Sequence, residues 1–310
     1  MVQLLSDLIK TVRPKQALKN LALFTPLIFS GDLFVLGRFL TVFRCTVIFT
    51  ILTSSIYIFN DIIDLPRDRL HPFKKERPIA KGSLPLPTAL FISIVGLFLA
   101  LYLAYLKNFF FFLTVLAYLF LQLFYSLWLK NIAVVDIMAI AGGFVLRVYA
   151  GAFAIDVHMS VWFLLCVVSL SLFLAAGKRR AELATLTEAT PKTRESLVSY
   201  SPELLDSYLA MFANAAWLSY ALFTFFFPPP AIAKRFPFWA DLPLTLAGVN
   251  KWLMITIPIV IFGIMRYLRI IHEGSWAETP ERVLLGDLPL LSTVLFWGIM
   301  VVGIIYGVRP

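Results

Sequence analysis

The sequence predicts an all-α, polytopic membrane protein of about nine transmembrane helices. Three observations carry this. The chain is 60% hydrophobic and 15% charged, where soluble domains run roughly 45–50% apolar and about 25% charged. Apolar runs of about 20 residues, the length a helix needs to cross a hydrocarbon core, fill most of it. The charged residues gather in the breaks between those runs. Helices suit such runs because every backbone group must be satisfied within the segment. One membrane domain over 1–310 is expected, with no soluble second domain.

A short basic amphipathic stretch, Met1–Asn20, shows no cleavable signal and leads into the first apolar run. The expected spans are 20–37, 42–62, 86–106, 109–129, 132–154, 159–177, 204–227, 250–271 and 288–308. Lys and Arg set the orientation. Nineteen lie on the flanks 1–20, 63–85, 129–131, 178–203 and 266–287; seven lie on the opposite flanks; Arg147 is inside a span. The N-terminus is therefore expected in the cytoplasm, the C-terminus outside, and the loop 228–251, with Pro228, Pro229 and Pro230, outside a plasma (inner) membrane. The net charge of +9 matches basic flanks on anionic lipid, and no nucleic-acid partner is expected. Cys45 and Cys166, both in apolar runs, suit neither a disulfide framework nor a metal site. The twenty-nine phenylalanines are read as packing and lipid-facing mass.

The chemistry concentrates where the second run ends, at Asn60-Asp61-Ile62-Ile63-Asp64-Leu65-Pro66-Arg67-Asp68. Asp61, Asp64 and Asp68 stand at i, i+3 and i+7, one face of a helix. Carboxylates so grouped repel one another unless a cation sits among them. Mg²⁺ takes oxygen ligands and is commonly shared between one or two carboxylates and substrate phosphates. Lys74, Lys75, Arg77 and Lys81 follow within twenty residues and can hold the phosphate oxygens a metal leaves free. The plainer reading is a solvated, charged helix end. Pro66 disfavours the α conformation at Leu65, so Asp68 is expected on a turn, with a weaker ligand role than Asp61 and Asp64.

This stretch resembles the signature of the UbiA superfamily of intramembrane prenyltransferases. The matching residues are Asn60, Asp61, Asp64 and Asp68, then His71-Pro72, Lys74, Arg77-Pro78-Ile79-Ala80 and Gly82. The resemblance implies a UbiA-like bundle of nine helices with a Mg²⁺–diphosphate site at the cytoplasmic face. Typical members carry a second aspartate-rich motif after the sixth helix. Here Gly177-Lys178-Arg179-Arg180-Ala181-Glu182-Leu183 stands there instead, a cationic replacement that suits a substrate with more than one diphosphate's worth of phosphate. With Arg13-Pro14-Lys15-Gln16, Lys19-Asn20, Tyr125-Ser126, Lys130, Gly143-Phe144, Arg147 and Ala150-Gly151, the chain resembles the decaprenyl-phosphate phosphoribosyltransferase branch from Arg13 to about Leu290. Pro280-Glu281, Asp287 and Pro289-Leu290 also fit, whereas Leu288 stands where a basic residue is commoner.

The resemblance implies transfer of 5-phosphoribose from 5-phosphoribosyl-1-pyrophosphate to a polyprenyl (decaprenyl) phosphate, with pyrophosphate released and the product feeding cell-envelope glycan synthesis. Asp61, Asp64 and Asp68 would hold Mg²⁺, with Asp61, Asp64 and Asn60 as the catalytic set. Lys15, Lys19, Lys74, Arg77, Tyr125, Lys130, Arg147, Lys178 and Arg179 would bind substrate. Lys15 and Lys19 are one α-helical turn apart and can face one ligand. Arg147 falls fifteen residues into the fifth span, roughly 22 Å deep, where a charge faces a polar cavity or a partner. A phosphate monoester dianion needs no general base, which agrees with His71 being a motif residue and His158 and His272 standing alone. Two rivals are a prenyltransferase joining an isoprenyl diphosphate to an aromatic acceptor, and a non-enzymatic transporter or lipid scaffold. The missing second aspartate cluster opposes the first. Transporters often show internal repeats with broken helices, and this sequence shows none.

Overall fold

A computed structural model describes residues 2–69, 74–184, 195–227, 251–273 and 280–307. No strand occurs among them. Helix α1 is Val2–Val12, α2 Leu36–Ile63, α3 Leu86–Lys107, α4 Phe109–Leu127 and α5 Val135–Ile155. Then come α6 Val161–Ala184, α7 Pro202–Phe226, α8 Trp252–Glu273, whose first turn is 3₁₀, and α9 Leu288–Tyr306. Eight of these, α2 to α9, are long and apolar enough to cross a membrane. The chain is a multi-pass, all-α membrane protein.

The first expected span, 20–37, is built differently. It lies partly in a 3₁₀ segment, Pro14–Phe24, and a short α-helix, Thr25–Phe29, and α2 begins at Leu36 rather than at 42. The nine apolar runs therefore yield eight long helices and one broken segment. Residues 185–194 and 228–250, Pro228–Pro230 included, lie outside the described residues, as do His71 and Pro72.

The chain divides into two compact units. The first holds Met1–Leu27, Asp32–Trp128 and Leu146–Val157. In it α2 and α3 pack through small residues. Ala89, Ser93, Ala100 and Ala104 are buried along one face of α3, and Ser93 Oγ donates to the Ser55 carbonyl at 2.9 Å. A Cβ on Gly96, on the same face, would stand 2.1 Å from Ser55 Oγ. Lipid is as apolar as leucine, so helices in it associate by such close approach. The other face of α3 exposes Phe91, Phe98, Tyr102 and Tyr105. Asn108 caps α4, accepting from the Phe111 amide at 2.7 Å, while its Nδ2 donates to the Phe153 carbonyl at 2.9 Å.

The 3₁₀ segment packs on the same unit. Pro14 opens it, suited to a helix start because it lacks an amide hydrogen. Before it Arg13 is left-handed, φ 55° and ψ 63°. At its far end the Leu23 backbone lies so close to α5 that a Cβ on Gly151 would be 2.0 Å from the Leu23 carbonyl oxygen. Only glycine permits that approach.

The second unit holds Ile28–Gly31, Leu129–Val145 and His158–Pro310. Its core sets Phe173, Ala175 and Ala176 of α6 against Leu205, Leu209, Ala213 and Ala216 of α7 and Tyr267, Ile270 and Ile271 of α8. Asp287 caps α9, accepting from the Leu290 amide at 2.8 Å and taking two bonds from Arg266 at 2.7 and 3.1 Å. That pair holds the Asp287 carboxyl below its usual range.

Candidate active site

The first unit gathers the expected carboxylates at the end of α2. Asp61 is 4% exposed on the helix's last turn. Its Oδ1 accepts from Arg77 Nη1 at 2.9 Å and from Arg13 Nη2. The same Arg77 Nη1 reaches Asp68 Oδ2 at 2.6 Å. Asp68 does not leave the site at Pro66. Leu65–Asp68 forms one further helical turn, the Asp68 amide bonds the Asp64 carbonyl at 2.9 Å, and the side chain is as buried as that of Asp61. The restriction Pro66 places on Leu65 is met by starting a new turn, as expected, and that turn keeps Asp68 beside Arg77. Asp64 is half-buried at the junction.

Arg77 is aimed by its neighbours. It precedes the short helix Pro78–Lys81, which closes on left-handed Gly82, φ 81°. Ile79 anchors that helix among Ile58, Leu84 and Ala89. Asn60 Oδ1 accepts from Ser126 Oγ at 2.8 Å, leaving Nδ2 as the amide's donor. The Arg13 guanidinium also lies over the Tyr57 ring, 5.2 Å from its centre. Arg13, Tyr57 and Ser126 were not among the sequence candidates. Arg13-Pro14 was visible in the sequence, but only the fold brings it to Asp61, forty-eight residues on.

Among the described residues no group of three or more His, Cys, Asp or Glu stands close enough to ligate a metal. The geometry offers a pair instead. Oxygens of Asp61 and Asp68 converge on one positive nitrogen, at 2.9 and 2.6 Å. Two carboxylates on one cation, completed by water and phosphate, is the donor set Mg²⁺ takes, so these residues fit that ion.

Other candidates fall differently. Lys15 is exposed, while Lys19 is partly buried and donates to Gln16 Oε1 at 2.6 Å. In a 3₁₀ helix residues three apart eclipse, so Lys19 stacks on Gln16 and points about 120° away from Lys15. The two lysines do not share a face. The Lys74 side chain lies outside the described residues. Tyr125 is partly buried on α4.

Arg147 meets polar partners at its depth in α5. It is 4% exposed, its Nε donates to Asn20 Oδ1 at 3.0 Å and its Nη2 to the Tyr118 hydroxyl at 2.6 Å. The guanidinium stacks over Tyr118 at 4.8 Å, and Asn20 Nδ2 continues to Thr50 and Thr53 at 3.0 and 3.2 Å. With Gly151 one turn further along α5, this knot fastens the 3₁₀ segment.

In the second unit, the cationic run is matched by carboxylates. Arg179, fully buried, pairs with Asp136 at 2.6 Å and with Glu182. Lys178 lies 3.8 Å from Glu182, and Arg180 lies 2.7 Å from Asp206. Asp136 Oδ1 also accepts from the Tyr200 hydroxyl at 2.7 Å, and that hydroxyl accepts from the Val134 amide at 2.5 Å. Burial pushes the Tyr200 hydroxyl's pKa up and keeps it a donor. Val134 is left-handed, φ 69°, unusual for a β-branched residue, and this network holds it there. Lys130 is buried, its carbonyl accepting from Ser196 at 2.8 Å. The run expected to serve as a phosphate cradle is thus largely neutralised, because Asp136, remote in sequence, folds against Arg179.

Residues 23–178 match the UbiA prenyltransferase family. Over 307 residues the chain is 34% identical to a decaprenyl-phosphate phosphoribosyltransferase of Corynebacterium glutamicum, covering 98% of this chain and 88% of that one. The chain belongs to the UbiA prenyltransferase family. A Mycobacterium tuberculosis decaprenyl-phosphate phosphoribosyltransferase is 32% identical over 301 residues, covering 95% of this chain and 92% of its own. Among solved structures, a UbiA homolog from Archaeoglobus fulgidus bound to GPP and Mg²⁺ superposes with a TM-score of 0.64 at 16% identity, covering 97% of this chain and 99% of that one. That likeness establishes the UbiA fold.

Proposed function

We propose that this enzyme transfers 5-phosphoribose from 5-phosphoribosyl-1-pyrophosphate to a polyprenyl phosphate of decaprenyl type, releasing pyrophosphate. The observation that carries the proposal is identity of 34% along nearly the whole chain to a relative of that name. The carboxylate–arginine cluster supports it with chemistry. Asp61 and Asp68, with Asp64 beside them, would hold Mg²⁺. When bound, the ion supplies charge neutralisation for the pyrophosphate leaving group.

The chain's own residues do the rest. Arg77 and Arg13 place two guanidiniums at the leaving group, where fixed cations stabilise developing charge. Asn60, held by Ser126, orients a donor toward the same assembly. Lys15, exposed at the start of the 3₁₀ segment, is free of the Gln16 contact that engages Lys19 and is the nearer choice for a terminal phosphate. The lipid phosphate oxygen attacks the anomeric carbon with inversion, and no general base is required. We place the site at the cytoplasmic face of the inner membrane, on the strength of the Lys and Arg distribution.

Relatives of the fold bound to isoprenyl diphosphates favour a second reading, alkylation of an aromatic acceptor. Purified protein with Mg²⁺, labelled phosphoribosyl pyrophosphate and a polyprenyl phosphate should give labelled lipid. Prenylation of 4-hydroxybenzoate by an isoprenyl diphosphate, with no ribosylated lipid, would reverse the choice.

A further inference from the structure

Asp61 Oδ1 and Asp68 Oδ2, the oxygens a divalent ion would share, are the oxygens that Arg13 and Arg77 occupy. An ion held between those two oxygens would take the place of Arg77 Nη1, 2.9 and 2.6 Å from them, and would crowd the Arg13 guanidinium on Asp61. Metal and arginines are therefore alternative partners for one pair of carboxylates. Charge sharpens the exclusion. A bare Mg²⁺ would meet two guanidiniums with no anion to receive them, whereas Mg²⁺ arriving with a diphosphate brings acceptor oxygens.

The two arginines reach the site from its more exposed side. Each is more than a quarter exposed at the side chain, 28% for Arg13 and 27% for Arg77, while Asp61 and Asp68 are each 5% exposed. The carboxylates are fixed on helical turns, and the cations reach them from outside. The Arg13 backbone is itself left-handed, a conformation sparsely populated by non-glycine residues. Its stacking on Tyr57 supports the guanidinium in place without the carboxylate. Arg77 comes from an extended position before a one-turn helix.

We propose that Arg13 and Arg77 are exchange residues: they compete with the metal for Asp61 and Asp68 and pass to the diphosphate oxygens, so that metal and diphosphate bind as a unit and the metal alone binds poorly. This rests on the reading of Asp61 and Asp68 as the metal ligands. It assigns Arg13 a binding role through Asp61, and it makes the site discriminate against ligands without a diphosphate.

The test is metal binding by the purified full-length protein, titrating Mg²⁺ alone and Mg²⁺ with saturating inorganic pyrophosphate by calorimetry. Wild type should bind Mg²⁺ at least about tenfold more tightly with pyrophosphate, within the usual range for coupled ligands. Arg13→Gln should bind Mg²⁺ alone more tightly, by about threefold to tenfold, and lose most of the coupling. Arg77→Gln should do the same and carries the test if the Arg13 variant does not purify folded. Unchanged metal-only affinity in a folded arginine variant, with Asp61→Asn still abolishing binding, overturns the exchange. Asp61→Asn and Asp68→Asn binding Mg²⁺ as wild type does would instead remove the metal-ligand reading beneath it.

Discussion

Replacing Gly151 with alanine adds one methyl group at the tightest backbone contact of the first unit. The new Cβ would lie 2.0 Å from the Leu23 carbonyl oxygen, 2.8 Å from its carbon and 2.9 Å from its Cα. All three are backbone atoms, so no rotamer change relieves the clash. Reaching an ordinary separation of about 3.4 Å requires the 3₁₀ segment to withdraw from α5 by more than 1 Å. Overpacking of this kind costs about 1–3 kcal/mol. The withdrawal also stretches the 3.0 Å bond from Arg147 to Asn20, three residues before Leu23, and a bond to a charged group contributes roughly 1.5–3 kcal/mol. The combined loss is about 2.5–6 kcal/mol, a drop of roughly 5–25 °C in apparent midpoint at some 2–4 °C per kcal/mol. Unfolding in detergent at one fixed scan rate measures it, since membrane proteins often unfold irreversibly. Alanine at Gly298, where a Cβ meets nothing within 4 Å, is the control. If Gly151→Ala matches that control in midpoint, the docking of the 3₁₀ segment on α5 is wrong.

Four further outcomes are expected. Asp61→Asn and Asp68→Asn should each lower turnover more than tenfold with the fold retained; Asp68→Asn at near-full activity would return that residue to the turn first expected of it. Arg147→Met should cost stability, about 2–5 kcal/mol from the polar partners left buried, and equal midpoints for variant and wild type would refute its role as a fastener. Asp136→Asn should be destabilising, about 3–5 kcal/mol, because it removes one of the two carboxylates paired with a fully buried arginine, read as loss of monodisperse protein on size exclusion. Asp287→Asn should lower the midpoint at neutral pH. Because the folded carboxyl is held below the unfolded value, its contribution is present above about pH 4 and fades in more acid solution, so the gap between the two proteins should close there.

Much of the fold was written in hydropathy. The runs that became α3, α4 and α9 were placed within a few residues, because a lipid-facing helix has to be apolar along its length. The run 20–37 misled for the same reason. Hydropathy reports burial and not helix type, and here the residues from Pro14 to Phe24 wind as 3₁₀. At the site, Asp61, Asp68 and Arg77 were legible because they sit in one local stretch. Arg13 and Asp136 were not, since each acts on a partner more than forty residues away. In Lys178-Arg179-Arg180 the charge was legible and two of its partners were not: Asp136 and Asp206 come from distant segments.

An eleven-residue 3₁₀ segment also works as a spacer of fixed length. Arg13 is tied to Asp61 at one end and Asn20 to Arg147 at the other. A 3₁₀ helix rises about 2.0 Å per residue against 1.5 Å for an α-helix, so these seven steps reach about 3.5 Å further than α-helical winding would. Losing one residue between the anchors would shorten the span by about 2 Å and turn every following side chain by about 120°. Insertions and deletions should therefore be rejected between Arg13 and Asn20. A deletion scan across this segment would test that residue by residue.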